Sequence, residues 1–263
     1  MNKDKTILKT LLLGSFFASL SAMLGGSTFV FTRYVVDSID PFTLSFLRYG
    51  LTGLILFLLS ISVYMNKKFA KADLIPMCFL GLAMITLFPN FMALGLEHTT
   101  AARAGLLYAT MPLCTIIIAY FFNIEKITLN KSLAVLLAIL GVSFCMSERV
   151  DNNFQDTLKG DFLMMIGVLS ASCFTVFSGK YLKKYGNIPV MIFVILIGTI
   201  LNLIISMIFG NSIISLLEIN KFEAAALLML IIPGGVVMMY CWGKALQLIS
   251  PTQAAISLGF NPL

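Results

Sequence analysis

The chain has 263 residues, of which 59% are hydrophobic and 11% are charged, whereas soluble globular proteins have about 45–50% apolar and about 25% charged residues. This composition excludes an ordinary water-soluble domain. The formal net charge is +6, but the basic residues are divided among many short polar segments between apolar runs, which are called joints below. We therefore expect a lipid bilayer, and not a nucleic acid, as the partner of the chain.

Long apolar runs alternate with these joints. A helix that crosses a bilayer needs about 20 mainly apolar residues, and the runs are continuous, whereas barrel strands would alternate in polarity over about ten residues. We predict an all-α integral membrane protein. The runs cover residues 10–31, 41–64, 74–96, 101–122 and 129–146, then 162–177, 189–209 and 224–245, and a further run starts at 254.

The basic residues lie on alternate joints, as the positive-inside rule requires. With a cytoplasmic amino terminus, the inner side holds Lys3, Lys5, Lys9, Lys67, Lys68, Lys71, Lys126, Lys131, Lys180, Lys183, Lys184 and Lys244, and the outer side holds Arg33, Arg103, Arg149, Lys159 and Lys221. A signal peptide would also have basic residues before its apolar stretch. The first run is longer than a typical signal sequence and has a counterpart within the chain, so we expect it to remain in the protein.

The chain contains an internal repeat. A shift of 150 positions lays residues 96–105 on residues 246–255 without a gap, and shifts of 148 and 149 align Pro41 with Pro189 and Leu20 with Leu169. The first repeat covers residues 1–149 and the second covers 150–263. Five runs in the first repeat are an odd number, so the second must enter the membrane from the opposite side. Inverted repeats are a recurring plan of secondary transporters.

Three segments resemble the ten-helix EamA-type branch of the drug/metabolite transporter superfamily. They are Gly26-Ser27-Thr28-Phe29-Val30 with Pro41-Phe42 and Leu47-Arg48-Tyr49, then Ala93-Leu94 through Thr99-Thr100-Ala101 with Pro112 and Asn123-Ile124-Glu125-Lys126-Ile127-Thr128, and Ala245-Leu246 with Ser250-Pro251-Thr252-Gln253-Ala254-Ala255. The resemblance implies five helices in each half, and Asn123 replaces a glycine that is usual in the family. It also implies a tenth helix and a longer ninth, so we expect the chain as printed to be truncated in the ninth helix.

Polar and aromatic side chains at membrane depth are candidates for a substrate cavity, since polar groups in lipid must find partners. The resemblance implies that helices one, three, four, six, eight and nine form the cavity walls, which excludes Asn202. The candidates that remain are Ser27, Thr28, Asn90, Tyr108, Thr110, Thr175, Tyr240 and Trp242. Each of them also fits ordinary packing between helices.

Arg48 is the only charged residue well inside a run, about 10 Å from Pro41 along a helix. An arginine at this depth usually faces a cavity or a partner, so Arg48 joins the cavity candidates. Bracing of the fold and gating remain alternatives, because the resemblance implies an arginine at this position whatever the substrate. Pro89 in the third run, and Pro233, Gly234 and Gly235 in the eighth, interrupt helical hydrogen bonding and are candidates for helix breaks at a binding region.

Other residue types exclude several functions. His98 is the only histidine, and the chain has no catalytic, metal-binding or phosphate-loop motif, so we expect no enzyme activity, metal or cofactor. All twelve acidic residues lie at helix ends or in joints, which favours facilitated diffusion or exchange over proton coupling. We predict a permease for a small organic metabolite, such as an amino acid, in the bacterial inner membrane. A truncated or scaffold protein and a drug exporter of the same superfamily are the alternatives, and the oligomeric state is left open.

The charge distribution predicts the topology, which reporter fusions can measure. Fusions after Lys71 and Lys184 should be cytoplasmic, and fusions after Asp151 and Asn220 should be external, because basic joints remain on the inner side. A cytoplasmic reporter at Asp151 would contradict both the topology and the inverted repeat, since five spans must precede that residue.

Overall fold

The computed structural model describes residues 2–126, 154–210 and 220–260, together with positions 128, 129, 132, 133, 136, 137 and 140. Every regular element among these residues is a helix, and seven helical segments are long and apolar enough to cross a bilayer. The prediction of an all-α membrane protein is therefore confirmed. About two-thirds of the fifth predicted run, residues 129–146, lies outside the described residues, and so do Cys145 and Arg149.

The helices are numbered in chain order. They are α1 (Asn2–Val35), α2 (Pro41–Met65), α3 (Lys71–Gly81), α4 (Phe88–His98), α5 (Ala101–Tyr108), α6 (Met111–Phe121), α7 (Phe154–Tyr185), α8 (Asn187–Phe209), α9 (Lys221–Ile231), α10 (Met238–Leu248) and α11 (Pro251–Ile256). A first π segment (Leu82–Leu87) joins α3 to α4, and a second π segment (Ile232–Val237) joins α9 to α10. A short 3₁₀ turn (Ser257–Phe260) follows α11.

Most predicted runs match these helices to within a few residues, and three differ. The run at 10–31 lies inside the longer helix α1, which begins at Asn2. The run at 162–177 is the middle of a much longer helix, α7, because its polar ends continue the helix beyond the apolar residues. The run at 101–122 is divided into α5 and α6 at Ala109 and Thr110. Pro112 lies in the first turn of α6. A backbone N–H at this position has no acceptor within the helix, so its absence in proline costs no hydrogen bond.

The elements from α3 to α4 recur 150 residues later, with identical lengths, as the elements from α9 to α10. Helix α11 likewise begins 150 residues after α5, but it is shorter. Helices α3 and α9, the two π segments, and α4 and α10 begin and end at positions that differ by 150. The caps correspond as well, since Thr100 caps α5 and Ser250 caps α11 through the same bond to the backbone N–H three residues on. The sequence shift thus corresponds to a repeated local structure.

Helices α2 and α8 are packed antiparallel along their length. The hydroxyls of Thr43 and Ser206 are 2.9 Å apart at one end. Further along, the space at Gly50 is bounded by Thr199 and that at Gly53 by Ile195. Contacting positions therefore rise in α2 as they fall in α8, so these two corresponding helices run in opposite directions.

Several other contacts between the two parts of the chain, residues 1–149 and residues 150–263, occur in reciprocal pairs. Helix α1 packs on α10, and α7 packs on α4, while α11 packs on α1 and α5 packs on α7. Each pair becomes the other when the two parts are exchanged. Such reciprocity is the pattern of a two-fold, isologous interface.

The apolar side chains divide into a packed interior and an outer surface. Phe174, Tyr49 and Met164 are fully buried between helices, whereas Leu59, Phe121 and Phe209 are more than two-thirds exposed. Exposure of large apolar side chains around the circumference of a helix bundle is the arrangement that lipid, and not water, stabilises. Among the described cysteines, Cys78, Cys114, Cys173 and Cys241 are free thiols within the helices.

Polar contacts join the two parts at the ends of the helices. Arg103 forms a bidentate ion pair with Asp161, with a shortest distance of 2.6 Å. At another end, the Asp73 carboxylate accepts hydrogen bonds from Lys184 and Tyr185, both at 2.6 Å. Glu223, which lies 150 residues after Asp73, accepts a hydrogen bond from Ser38. Each acid at the start of α3 or α9 thus contacts the chain near the end of α7 or α1.

The backbones of α3 and α8 approach each other closely at Gly81 and Gly198, which predicts a strong steric effect of an added side chain there. An added Cβ at Gly198 would lie 2.9 Å from the Gly81 carbonyl and 2.6 Å from Ile85 Cγ2, so Gly198→Ala should lower the free energy of unfolding by about 1–3 kcal/mol. Gly105→Ala is the matched control, because nothing lies within 4 Å of its added Cβ. Thermal unfolding in detergent measures both. Equal unfolding midpoints for the two variants would contradict this packing.

Candidate functional site

The second π segment releases a carbonyl inside the bundle. The N–H of Met238 donates to the carbonyl of Pro233, five residues earlier, and so bypasses the Gly234 carbonyl that an α-helix would use. Arg48 from α2 donates to this carbonyl from Nη2 at 2.9 Å. One turn further along α2, the Thr52 hydroxyl donates to the Ile231 carbonyl at 3.2 Å. Helix α2 thus provides both side-chain donors to the break between α9 and α10.

The first π segment has the same backbone pattern with different donors. The N–H of Phe88 donates to the Ala83 carbonyl, five residues earlier, and Pro89 has no N–H for the Ile85 carbonyl. Asn202 from α8 donates to the Ile85 carbonyl at 2.8 Å, and its side-chain oxygen accepts a hydrogen bond from Asn90 at 3.0 Å. The break is thus the π segment just before Pro89, and the proline releases the carbonyl that Asn202 binds.

The breaks therefore occupy equivalent positions in the two parts, although Pro89 and Pro233 do not. Each one is satisfied by the second helix of the other part: α2 donates to the second π segment, and α8 donates to the first. Arg48, Thr52, Asn90 and Asn202 are all less than 7% exposed. Because lipid cannot donate hydrogen bonds, these cross-contacts replace the missing helical bonds at membrane depth.

An aromatic cluster lies next to Arg48. Tyr108 stacks on Phe88 with ring centroids 5.4 Å apart and packs on Phe29 at 5.3 Å. The Arg48 guanidinium lies 5.0 Å from the centre of the Tyr49 ring, and Tyr49 belongs to the same buried cluster as Phe29, Phe88 and Tyr108. Residues of α1, α2, α4 and α5 thus converge beside the second π segment.

Thr28 and Gly234 complete the contact of α1 with this cluster. A Cβ at Gly234 would lie 2.7 Å from Thr28 Cγ2 and 3.8 Å from Arg48 Nη2, so only glycine permits this approach without displacement of the neighbours. A Cβ at Gly235 would meet the Thr52 hydroxyl in the same way. The two glycines predicted as part of the helix break are therefore also the points at which α1 and α2 approach it.

Several buried polar atoms near membrane depth have no hydrogen-bond partner among the described residues. They are Arg48 Nε, the Tyr49 hydroxyl, Asn90 Oδ1, the Thr175 hydroxyl and Trp242 Nε1. A buried donor or acceptor without a partner costs about 1–3 kcal/mol. These atoms are therefore available to a polar solute that enters the bundle.

Three of the sequence candidates, Ser27, Thr110 and Tyr240, make ordinary contacts within and between helices. The Ser27 hydroxyl donates to the Leu24 carbonyl, and the Thr110 hydroxyl donates to the Leu107 carbonyl, both at 2.7 Å. Thr110 also lies 3.9 Å from the sulfur of Met165. Tyr240 is 36% exposed, and its ring packs on Phe17.

Tyr49, Thr52 and Asn202 are not predicted as site residues from the sequence. The resemblance excludes the helix of Asn202 from the cavity walls, yet Asn202 links both parts of the chain. The repeat gives no signal for Thr52 or Asn202, because the shift of 148 that aligns Pro41 with Pro189 lays Thr52 on Ile200 and Leu54 on Asn202, although both side chains donate to a carbonyl in or beside a π segment. Within the described residues, no three His, Cys, Asp or Glu side chains are grouped as metal ligands.

Substitution of Asn202 tests the link between α8 and the first π segment. Asn202→Leu leaves the Ile85 carbonyl and the Asn90 amide without their partner, so it should lower the free energy of unfolding by about 1–2 kcal/mol. Asn90→Leu removes only the bond between the two side chains and should cost less. Thermal unfolding in detergent of both variants and of the double variant measures the coupling. Strictly additive effects would contradict the hydrogen bond between the two residues.

Comparison with known proteins is consistent with this architecture. The description "EamA-like transporter family" matches residues 12–147 and again residues 158–263. An uncharacterized transporter of Archaeoglobus fulgidus is 27% identical over 250 residues, which are 93% of this chain and 84% of that protein. The uncharacterized transporter YrdR of Bacillus subtilis is 23% identical over 96% of this chain and 82% of its own length.

A solved crystal structure has the same fold, with a TM-score of 0.70 at 16% sequence identity. The match covers 94% of this chain and 84% of that chain. The family match spans nearly the whole chain and includes both parts of the repeat. The chain therefore belongs to the EamA-like transporter family of the drug/metabolite transporter superfamily and is an integral membrane protein.

Proposed function

We propose that this protein is a secondary transporter built from two inverted repeats, which carries a small organic metabolite by alternating access. The observation that carries the proposal is the reciprocal contact of the two parts. Helices α2 and α8 run antiparallel, and each donates to the π segment of the other part. Two similar units in opposite orientation can exchange inward-open and outward-open shapes around one central site.

The π segments supply the adjustable part of this mechanism. A single-turn π segment within an α-helix is commonly found at functional sites, and here each one lies midway along a span. The helical parts on either side remain rigid, since α3, α4, α9 and α10 each have 11 residues of regular helix. Reorientation at these segments moves the ends of a span while the side-chain donors of α2 and α8 hold its middle.

The positions of the acidic residues support facilitated diffusion or exchange. Among the described residues, the acidic side chains lie near helix ends or between helices, and Asp73, Asp161 and Glu223 contact side chains of the other part there. Proton-coupled carriers commonly titrate a carboxylate within the membrane. We infer that movement of the substrate down its own gradient drives the cycle, with the amino terminus in the cytoplasm of a bacterial cell.

Metabolite profiling of cells with and without the gene, followed by counterflow in proteoliposomes, tests this function. The metabolite whose distribution changes should enter vesicles as labelled tracer when unlabelled metabolite is inside, without a proton gradient. An uncoupler should leave the initial rate unchanged within about twofold, because no proton movement is required. Vesicles without protein are the control for leakage.

Two outcomes separate the alternatives. Accumulation against a gradient that the uncoupler abolishes would contradict facilitated transport and favour a proton-coupled exporter. Absence of counterflow for every metabolite that the profiling identifies, in protein that is folded and inserted, would contradict transport by the chain and favour a scaffold role.

A further inference from the structure

Arg48 retains unused binding capacity. Its guanidinium has five N–H donors, and the structure gives it one hydrogen bond, from Nη2 to the Gly234 carbonyl. Its Nε is buried without a partner among the described residues, although the side chain is only 3% exposed. The remaining donors face an environment that must supply acceptors if the arginine is to stay charged at this depth.

The positive charge of Arg48 is also not neutralised by the part of the chain that the structure describes. The ion pairs there join Arg33 to Asp37, Arg103 to Asp161 and Lys184 to Asp73, all at helix ends. The dipole of the Gly234 carbonyl and the face of the Tyr49 ring both stabilise the Arg48 cation, but neither group carries a net negative charge. An anion beside Arg48 would therefore gain both a charge partner and hydrogen bonds.

The surroundings of Arg48 determine what else such an anion must contain. Phe29, Phe88 and Tyr108 pack in the same buried cluster as Tyr49, whose ring contacts the guanidinium, and this aromatic cluster favours a ligand with an apolar body. Away from their ends, the described spans contain no carboxylate that would bind an ammonium group, and Arg48 is their only cation well inside a run. One cation balances one negative charge, so a doubly charged phosphate or an amino-acid zwitterion fits this site less well than a simple monoanion.

We propose that Arg48 binds the carboxylate of a small organic monocarboxylate, whose apolar body lies against Phe29, Phe88 and Tyr108. This inference rests on the proposed transport function and specifies its substrate class. Arg48 then has two roles, since Nη2 anchors α2 to the Gly234 carbonyl while Nε and the remaining donors hold the ligand. The carboxylate accepts hydrogen bonds from donors that have no partner among the described residues.

Ligand-dependent thermal unfolding of the purified full chain in detergent tests the proposal directly. Butyrate, hexanoate and phenylacetate are each compared with the corresponding amide, and sodium chloride keeps the ionic strength equal. At least one acid should raise the unfolding midpoint saturably, while its amide should not, because only the acid carries the charge that pairs with Arg48. Inorganic phosphate and L-phenylalanine should produce smaller shifts than the acid at the same concentration.

Variants locate the binding charge. Arg48→Gln should weaken the apparent affinity for the acid roughly 30-fold or more, and Arg48→Lys should retain part of it, because the charge remains while the fork of donors is lost. Arg33→Gln is the matched control: it removes the same charge from an exposed ion pair at a helix end, and it should bind as the unmodified protein does. If Arg48→Gln does not fold, the acid and amide comparison on the unmodified chain still decides the question.

Equal shifts for an acid and its amide, no shift with any of the three acids, or undiminished binding by Arg48→Gln would each overturn the proposal. Counterflow is measured separately on the same preparations. A protein that exchanges a neutral or cationic metabolite but ignores the acids would remain a transporter, and only the substrate class would be wrong. Binding of an acid without any counterflow would instead contradict the transport function.

Discussion

The structure depends on one constraint of the bilayer, which is that lipid offers no hydrogen bond to a free backbone carbonyl. The second π segment bypasses the Gly234 carbonyl, and Pro89 supplies no N–H for the Ile85 carbonyl in the first. Each of these two carbonyls accepts a hydrogen bond from a side chain of the other part of the protein. The donors differ in chemistry: an arginine and a threonine serve one break, and an asparagine serves the other. The requirement is the same at both breaks, but the residues that meet it are not.

This difference explains why similar backbones need not be equivalent in function. The first break is held by neutral amide groups that bind one another through Asn90 and Asn202, so its polar capacity is largely used within the protein. The second break is held by a charged group with donors to spare. An asymmetric site between two similar halves is well suited to a solute that has one charged end and one apolar end.

Much of the fold could be predicted from the sequence, because its physical causes are local. Apolar runs predicted the spans, and the shift of 150 predicted that residues 96–105 correspond to residues 246–255. The π segments could not be predicted in this way, since the register of helical bonding leaves no pattern in hydropathy. Pro89 indicated a break, but the effect of a proline appears at the carbonyl four residues earlier, and only the structure identifies Asn202 as its partner. The depth of Arg48 along its run predicted a role for it, whereas its contact with Gly234 depends on how α2 crosses the chain between α9 and α10.

The bond between Asn202 and Ile85 also imposes an order on the biogenesis of the protein. The two residues are 117 positions apart, and at about 5–20 residues per second a ribosome needs roughly 6–23 s to add that length. During this interval the span that contains Ile85 has already been made, while Asn202, the partner of its carbonyl, has not. The Ile85 carbonyl must therefore bind water or another protein until the seventh predicted run is made, and only then can α8 pack on the first π segment.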